Sequence, residues 1–260
     1  MRNRWDVGLC GLLTVFGSLS ALGQPRLVVE KPDSYQVGDV IESDVFVLDK
    51  DLQRRSLVSL IEPETKVVAL VMFGGAALKT PEVHRGPLWC EDSFDDLAVE
   101  RALVAEFGRS AVQFLAVAVP PVHNPPRYGY ADKAFLGYDE TAPEFLDAAR
   151  RFVDGTEAQV KNSLIPFSRV YYDPKYRLAG KKLKTGEGGQ SQAERYPWEG
   201  KFRWPEDPRN YGLPIIWLLG PKGEILQAPF FGNDWDSDPP HVQHEFKDLK
   251  AAIEKYLPQQ

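Results

Sequence analysis

Cysteine is scarce in this chain: Cys10 and Cys90 are the two among 260 residues. Two sulfurs cannot build the several bridges of a small disulfide-stapled fold, nor a zinc site of the four-cysteine kind. Positive charge is also short. Lys and Arg number 31 against 37 acidic residues, a formal net charge of −6, so the basic footprint of a nucleic-acid-binding protein is missing. After Leu22 no apolar run approaches the roughly 20 residues that a membrane span needs. Internal repeats and low-complexity tracts are absent. What remains is globular composition, 43% hydrophobic and 26% charged, of a length that suits one large domain or two small ones.

The first residues read as a secretory signal rather than as part of the fold. Arg2 and Arg4 form a positive start, Val7 to Leu22 carries no charge, and small residues follow at Ala21 and Gly23. Cleavage is expected after Gly23, leaving 24–260 as an exported chain, secreted or periplasmic. The alternative is an uncleaved N-terminal anchor, the one route by which this protein would touch a membrane. Leu9 stands before Cys10 where a lipoprotein signal needs a small residue. Cleavage discards Cys10 and leaves Cys90 as a lone sulfur, which either pairs with another molecule or stays a free thiol.

The exported part alternates strand and helix. Val67–Phe73 (VVALVMF) and Val112–Val119 (VQFLAVAV) are continuous apolar runs of strand length, expected to be buried on both faces. Between them, Glu91–Phe107 fits a helix, with Phe94, Leu97, Ala98, Val104 and Ala105 expected on its buried face, widened by Leu103 and Phe107. Strand, helix, strand predicts a right-handed parallel unit. Val45–Leu48 and Ser168–Tyr172 read as further strands. Thr141–Asp154 reads as a second helix, with Thr141 and Glu144 as a capping box and Phe145, Ala148, Ala149 and Phe152 as its stripe. Ile215–Leu219 and Glu224–Gln227 form an expected hairpin around Gly220-Pro221-Lys222-Gly223. A last helix of about four turns is marked by Val242, Phe246, Leu249, Ile253 and Tyr256. Residues 174–211 read as a long insertion rich in glycine, lysine and then aromatics.

Three blocks resemble the thioredoxin-like superfamily, most closely its redoxin branch of peroxiredoxins and thiol-disulfide oxidoreductases. Val37-Gly38-Asp39 with Phe46–Asp49 resembles the opening pattern. Val67–Phe73 followed by Trp89-Cys90 at a helix start resembles the strand and the active-site cysteine. Tyr211-Gly212-Leu213-Pro214, Ile215–Leu219 and Pro221-Lys222-Gly223-Glu224-Ile225 resemble the proline, strand and turn. The resemblance covers about 35–257 and implies an α/β thioredoxin-like fold, a central mixed sheet flanked by helices, with a large insertion before a cis-proline strand. It implies Cys90 as nucleophile, Pro214 as a cis proline facing it, and Trp89 and Leu213 as substrate contacts, Leu213 through its backbone. The implied partners are a disulfide or peroxide substrate and an external thiol reductant, with no cofactor, no metal and no nucleic acid.

The departures matter as much. The chain reads Cys90-Glu91-Asp92-Ser93, so oxygen stands where thioredoxins keep a second sulfur. Ser93 can hydrogen-bond a thiolate but cannot resolve a mixed disulfide, so an outside thiol must. Pro87 stands where peroxiredoxins keep a threonine. A helix start lowers a thiol pKa, and His84 and Arg85 would add positive potential; Glu91, Asp92, Asp95 and Asp96 oppose it. The sign is open at this level, and so is the choice between a working nucleophile and a buried cysteine in a retired redox fold. His241 and His244, with Asp234, Asp236 and Asp238 upstream, suggest a metal but read better as helix-start decoration. Tyr196, Trp198, Phe202, Trp204 and Tyr211 read as anchors for the insertion, or else as a groove for a partner.

Overall fold

In the computed structural model, described residues are 35–82, 84–108, 111–121, 124–132, 134–135, 143–173, 202, 213–231 and 244–258. The expected signal segment, Thr141, His241, Val242, the Asp234–Asp238 acids and the expected insertion other than Phe202 lie outside them. Seven strands form one sheet: β1 (Phe46–Leu48), β2 (Arg54–Ser56), β3 (Val67–Gly74), β4 (Val112–Val119), β5 (Val170–Tyr172), β6 (Ile215–Leu219) and β7 (Phe230–Phe231). Their order is β2-β1-β5-β4-β3-β6-β7. β3 pairs parallel with β4 and antiparallel with β6, and β6 pairs antiparallel with β7. The helices are α1 (Glu91–Phe107), α2 (Pro143–Lys161) and α3 (Phe246–Glu254). This is the thioredoxin-like α/β arrangement implied by the resemblance: a mixed sheet with a parallel strand–helix–strand centre and an antiparallel close.

The central strands form where the sequence is apolar without interruption. Every residue of β3 and β6 is buried, as expected of strands covered on both faces. α2 starts on Pro143, a residue suited to a first helical turn, and buries Phe145, Ala148, Ala149 and Phe152 as expected. It continues past Asp154, through Gly155, to Lys161. Gly155 is accommodated because a Cβ there would come within 3.2 Å of Ala76 Cβ, so close packing uses the glycine.

Four expectations need correction. The buried face of α1 is Ser93, Asp96, Leu97, Glu100, Leu103 and Phe107, while Ala98 and Ala105 are exposed and Phe94 and Val104 only half-buried. An apolar-stripe argument misses this because three of the buried positions are polar. Glu224–Gln227 forms no regular strand, yet it closes the expected hairpin: Ile225 bridges Leu219, Gly220 N–H bonds Glu224 O at 2.7 Å and Leu226 N–H bonds Leu218 O at 3.0 Å, while β7 is the regular partner of β6. The backbone of 223–225 also bonds residues 38–41, which keeps this arm irregular. Gly38 N–H bonds Ile225 O at 2.8 Å, Ile225 N–H bonds Asp39 O at 2.8 Å, and Ile41 N–H bonds Gly223 O at 3.0 Å. The β-turn itself is as expected, with Gly223 N–H on Gly220 O at 3.0 Å. Ser168–Tyr172 contracts to Val170–Tyr172. The last helix has nine residues rather than four turns, because a capping box between Glu245 and Asp248 starts it late.

The insertion is tied down at Phe202, which is fully buried. Its ring stands edge-on to Tyr35 (4.9 Å) and to Trp217 of β6 (5.7 Å). For this one aromatic, anchoring is the observed role.

Candidate active site

The register of the sheet decides where the site falls. β3 and β6 run antiparallel with Met72 opposite Ile215. The residues just before β6, Leu213 and Pro214, therefore lie beside the end of β3. The chain leaving β3 travels through 75–89 and re-enters as α1, whose N-cap is Cys90. The loop is held close to the strand end: Trp89 N–H bonds Gly75 O at 3.1 Å and Ala77 N–H bonds Pro87 O at 2.8 Å. Ala76 uses both backbone groups, accepting from Tyr130 Oη at 2.8 Å and donating to Thr156 Oγ1 at 3.1 Å. Cys90 is thus set by buried hydrogen bonds, not by a free loop.

The Leu213–Pro214 peptide is cis. Cys90 Sγ lies 3.5 Å from Leu213 O, so the thiol donates to that carbonyl. Ser93 is buried one turn into α1, and its Oγ accepts Gly74 N–H at 2.9 Å. Trp89 is half-buried; its Nε1 donates to Val119 O at 2.6 Å and its ring meets Tyr128 edge-on at 5.8 Å. Cys90, Ser93, Trp89, Leu213 and Pro214, the residues singled out in the sequence, therefore come together at one end of the sheet.

The electrostatics oppose easy ionisation. Burial pushes the Cys90 thiol up to about 11, and the Asp92 charge adds to this; hydrogen bonds from Ser93 and the Asp92 backbone only partly offset it. Desolvation outweighs the helix start. Arg85 is not available to help, since it pairs with Asp95 and approaches Glu91 at 3.9 Å. His84 packs its ring on Tyr128 at 5.6 Å and makes no hydrogen bond to Cys90. Asp96 also departs from its expected place. It does not crowd the helix start but turns inward to His244, so His244 belongs to a buried ion pair, not to the helix-start decoration.

Sequence reasoning missed two residues. A Cβ on Gly74 would lie 2.4 Å from Cys90 Cβ and 3.2 Å from Trp89 Cε2, so the glycine makes room for the cysteine. Tyr128 lines the same corner against Trp89 and His84; burial holds its phenol above the ordinary range, Arg127 opposing. The Gly74-Gly75 pair after an apolar strand was the available signal for the first. Nothing local marks Tyr128.

No family model matches the chain, and no curated protein matches it. Among solved structures it is similar to a Chlorobium tepidum protein described as a thiol:disulfide interchange protein DsbE, at 16% identity and TM-score 0.41, covering 86% of this chain and 100% of that one. It is similar to the C-terminal domain of a Bacteroides thetaiotaomicron protein described as a thiol-disulfide oxidoreductase, at 11% identity and TM-score 0.39, covering 85% and 95%. A thiol-disulfide oxidoreductase from Bacteroides fragilis is similar at 13% identity and TM-score 0.37, covering 85% and 100%.

Proposed function

We propose that this protein is an exported thiol oxidoreductase that works with one cysteine, Cys90, by thiol–disulfide exchange. The observation that carries the reading is the meeting of Cys90, at the start of α1, with the cis Leu213–Pro214 peptide. Cys90 thiolate attacks one sulfur of a disulfide; the Sγ–S bond forms as the old S–S bond breaks, and the displaced thiolate takes a proton. A thiol from outside, once ionised, then attacks the mixed disulfide and frees Cys90. Ser93 serves as a hydrogen-bond partner for the sulfur, and the Leu213 backbone and Trp89 contact the incoming chain. A disulfide suits the site better than a peroxide, because Arg85 is engaged with acids and position 87 is proline.

A second reading has one observation in its favour. The thiol held up to about 11 fits a binding module that keeps the fold without the chemistry. One experiment separates them. The 24–260 chain is treated at pH 8 with oxidised glutathione in one arm and hydrogen peroxide with a sulfenic-acid trap in the other, and Cys90 is read by mass spectrometry. A mixed disulfide at Cys90, released by dithiothreitol and absent in Cys90→Ser, is the expected result. Sulfenic acid without the mixed disulfide would replace disulfide exchange by peroxide reduction. No adduct until the protein is unfolded would leave the binding module.

A further inference from the structure

Beneath α1, well along the helix from Cys90, three titratable side chains are buried together. Asp96 and Glu100 stand one turn apart on the inward face, and His244 meets Asp96 from just before α3. Their exposures are 6%, 1% and 1%. His244 Nε2 lies 3.2 Å from Asp96 Oδ1 and 3.3 Å from Oδ2, and its Nδ1 lies 2.7 Å from the carbonyl of Phe231 in β7. A carbonyl can only accept, so Nδ1 carries a hydrogen. Nε2 faces a carboxyl group, so a second hydrogen must lie between them. The pair therefore holds one proton more than a carboxylate beside a neutral imidazole.

Glu100 adds another. Neither of its carboxyl oxygens has a hydrogen-bond partner. A buried anion with no donor, beside a second carboxyl, is too costly to persist, so the group stays neutral. The surrounding charges do not change this. From α3, Asp248 faces His244; Lys250 is engaged with Glu106 and, at 3.7 Å, Glu254. From the β7 side, the Phe230 ring stands edge-on to His244 at 5.9 Å.

We infer that Asp96, Glu100 and His244 form a proton-uptake clasp: closing α3 and β7 onto α1 binds protons, so the clasp tightens in acid and loosens as pH rises. The sign follows from the groups. Burial, then the Asp96 charge, raises Glu100 well above the carboxylate range. For His244, burial alone would lower the ring, but the Asp96 hydrogen bond and charge outweigh it and the net direction is upward. Both contributions are complete below the unfolded values, about 4.3 for Glu and 6.5 for His. Both are lost as pH climbs through the higher folded values. Within that window each extra bound proton changes the unfolding constant about tenfold per pH unit.

The test is urea unfolding of the 24–260 chain between pH 5 and pH 8, followed by tryptophan fluorescence. Wild type is compared with Glu100→Gln and with Glu100→Leu, which leaves no buried polar group to satisfy. Both variants should lose about one proton of pH dependence, so their unfolding constants diverge from wild type by up to about tenfold per pH unit. Infrared spectroscopy of the wild type at pH 7 should also show the band of a protonated buried carboxyl, absent in Glu100→Gln. If Glu100→Gln fails to fold, Glu100→Leu and the wild-type band decide alone. Parallel pH profiles in wild type and variant, or no protonated-carboxyl band, would overturn the inference. Neither readout depends on Cys90, so the clasp and the redox reading fail separately.

Discussion

The reactivity of Cys90 can be worked out before it is measured. With the thiol held up to about 11, about one molecule in 10⁴ carries the thiolate at pH 7. A free cysteine, with pKa about 8.5, carries about 3%, so folding costs about 300-fold in reactive form. A more basic thiolate is intrinsically more nucleophilic, with a Brønsted slope of about 0.4–0.5, which returns about tenfold. The net expectation is alkylation by iodoacetamide about 30-fold slower in the folded chain than in urea at pH 7, combining both factors. The assay follows labelling by mass across pH 6 to 11, with Cys10 removed by using residues 24–260. The logarithm of the folded rate should climb steadily, with no plateau below about pH 10, one unit under the thiol's value. A folded rate equal to the unfolded rate, or a plateau near pH 7, would refute the claim that desolvation outweighs the helix start. The same shift has a sign in stability. The neutral, partly buried thiol contributes below the unfolded value, and that contribution is lost as pH rises toward 11.

Three other perturbations follow from named contacts. Ser93→Ala leaves the buried Gly74 N–H without its acceptor and should cost about 1–3 kcal/mol in urea unfolding, while slowing Cys90 alkylation further because the hydrogen bond that eases ionisation is gone. Gly74→Ala places a Cβ 2.4 Å from Cys90 Cβ; overpacking should cost about 1–3 kcal/mol, and a variant that melts with wild type would show that the strand end yields freely. Phe202→Ala empties the contact with Tyr35 and Trp217 and should cost about 3–5 kcal/mol, with faster proteolytic cleavage inside 174–211 as a second readout.

The parts of the fold legible in the sequence are those where burial and apolarity coincide. VVALVMF, VQFLAVAV and IIWLL needed no tertiary information, and Glu91–Phe107 was readable as the helix between the first two. Cys90 and Pro214 were legible as a pair only through resemblance, since the 123 intervening positions carry no local sign that they meet. The inward face of α1 was not legible, because Asp96 and Glu100 look solvated in the sequence, and His244, far along the chain, meets Asp96 only in the fold. Gly74 was visible as a glycine but not as the space that Cys90 fills. The arm after Gly223 is irregular for a different reason. Residues 223–225 divide their backbone bonds between residues 38–41 and the facing arm, where Gly220 N–H bonds Glu224 O at 2.7 Å.

Among the described residues, the two outermost strands of the sheet bear on how another chain could add to it. β2 reads Arg54-Arg55-Ser56 and β7 is two residues long. A short edge and a doubly charged one are poor templates for strand addition, by a second copy or by a client polypeptide. Clients that dock by lengthening the sheet are therefore disfavoured, and crowding at high concentration should not zip molecules together. The ends of the strands, where Cys90 lies beside Leu213, are not affected by these edges. Under the proposed function, a client would approach there, with its sulfur at Cys90 and its backbone beside Leu213.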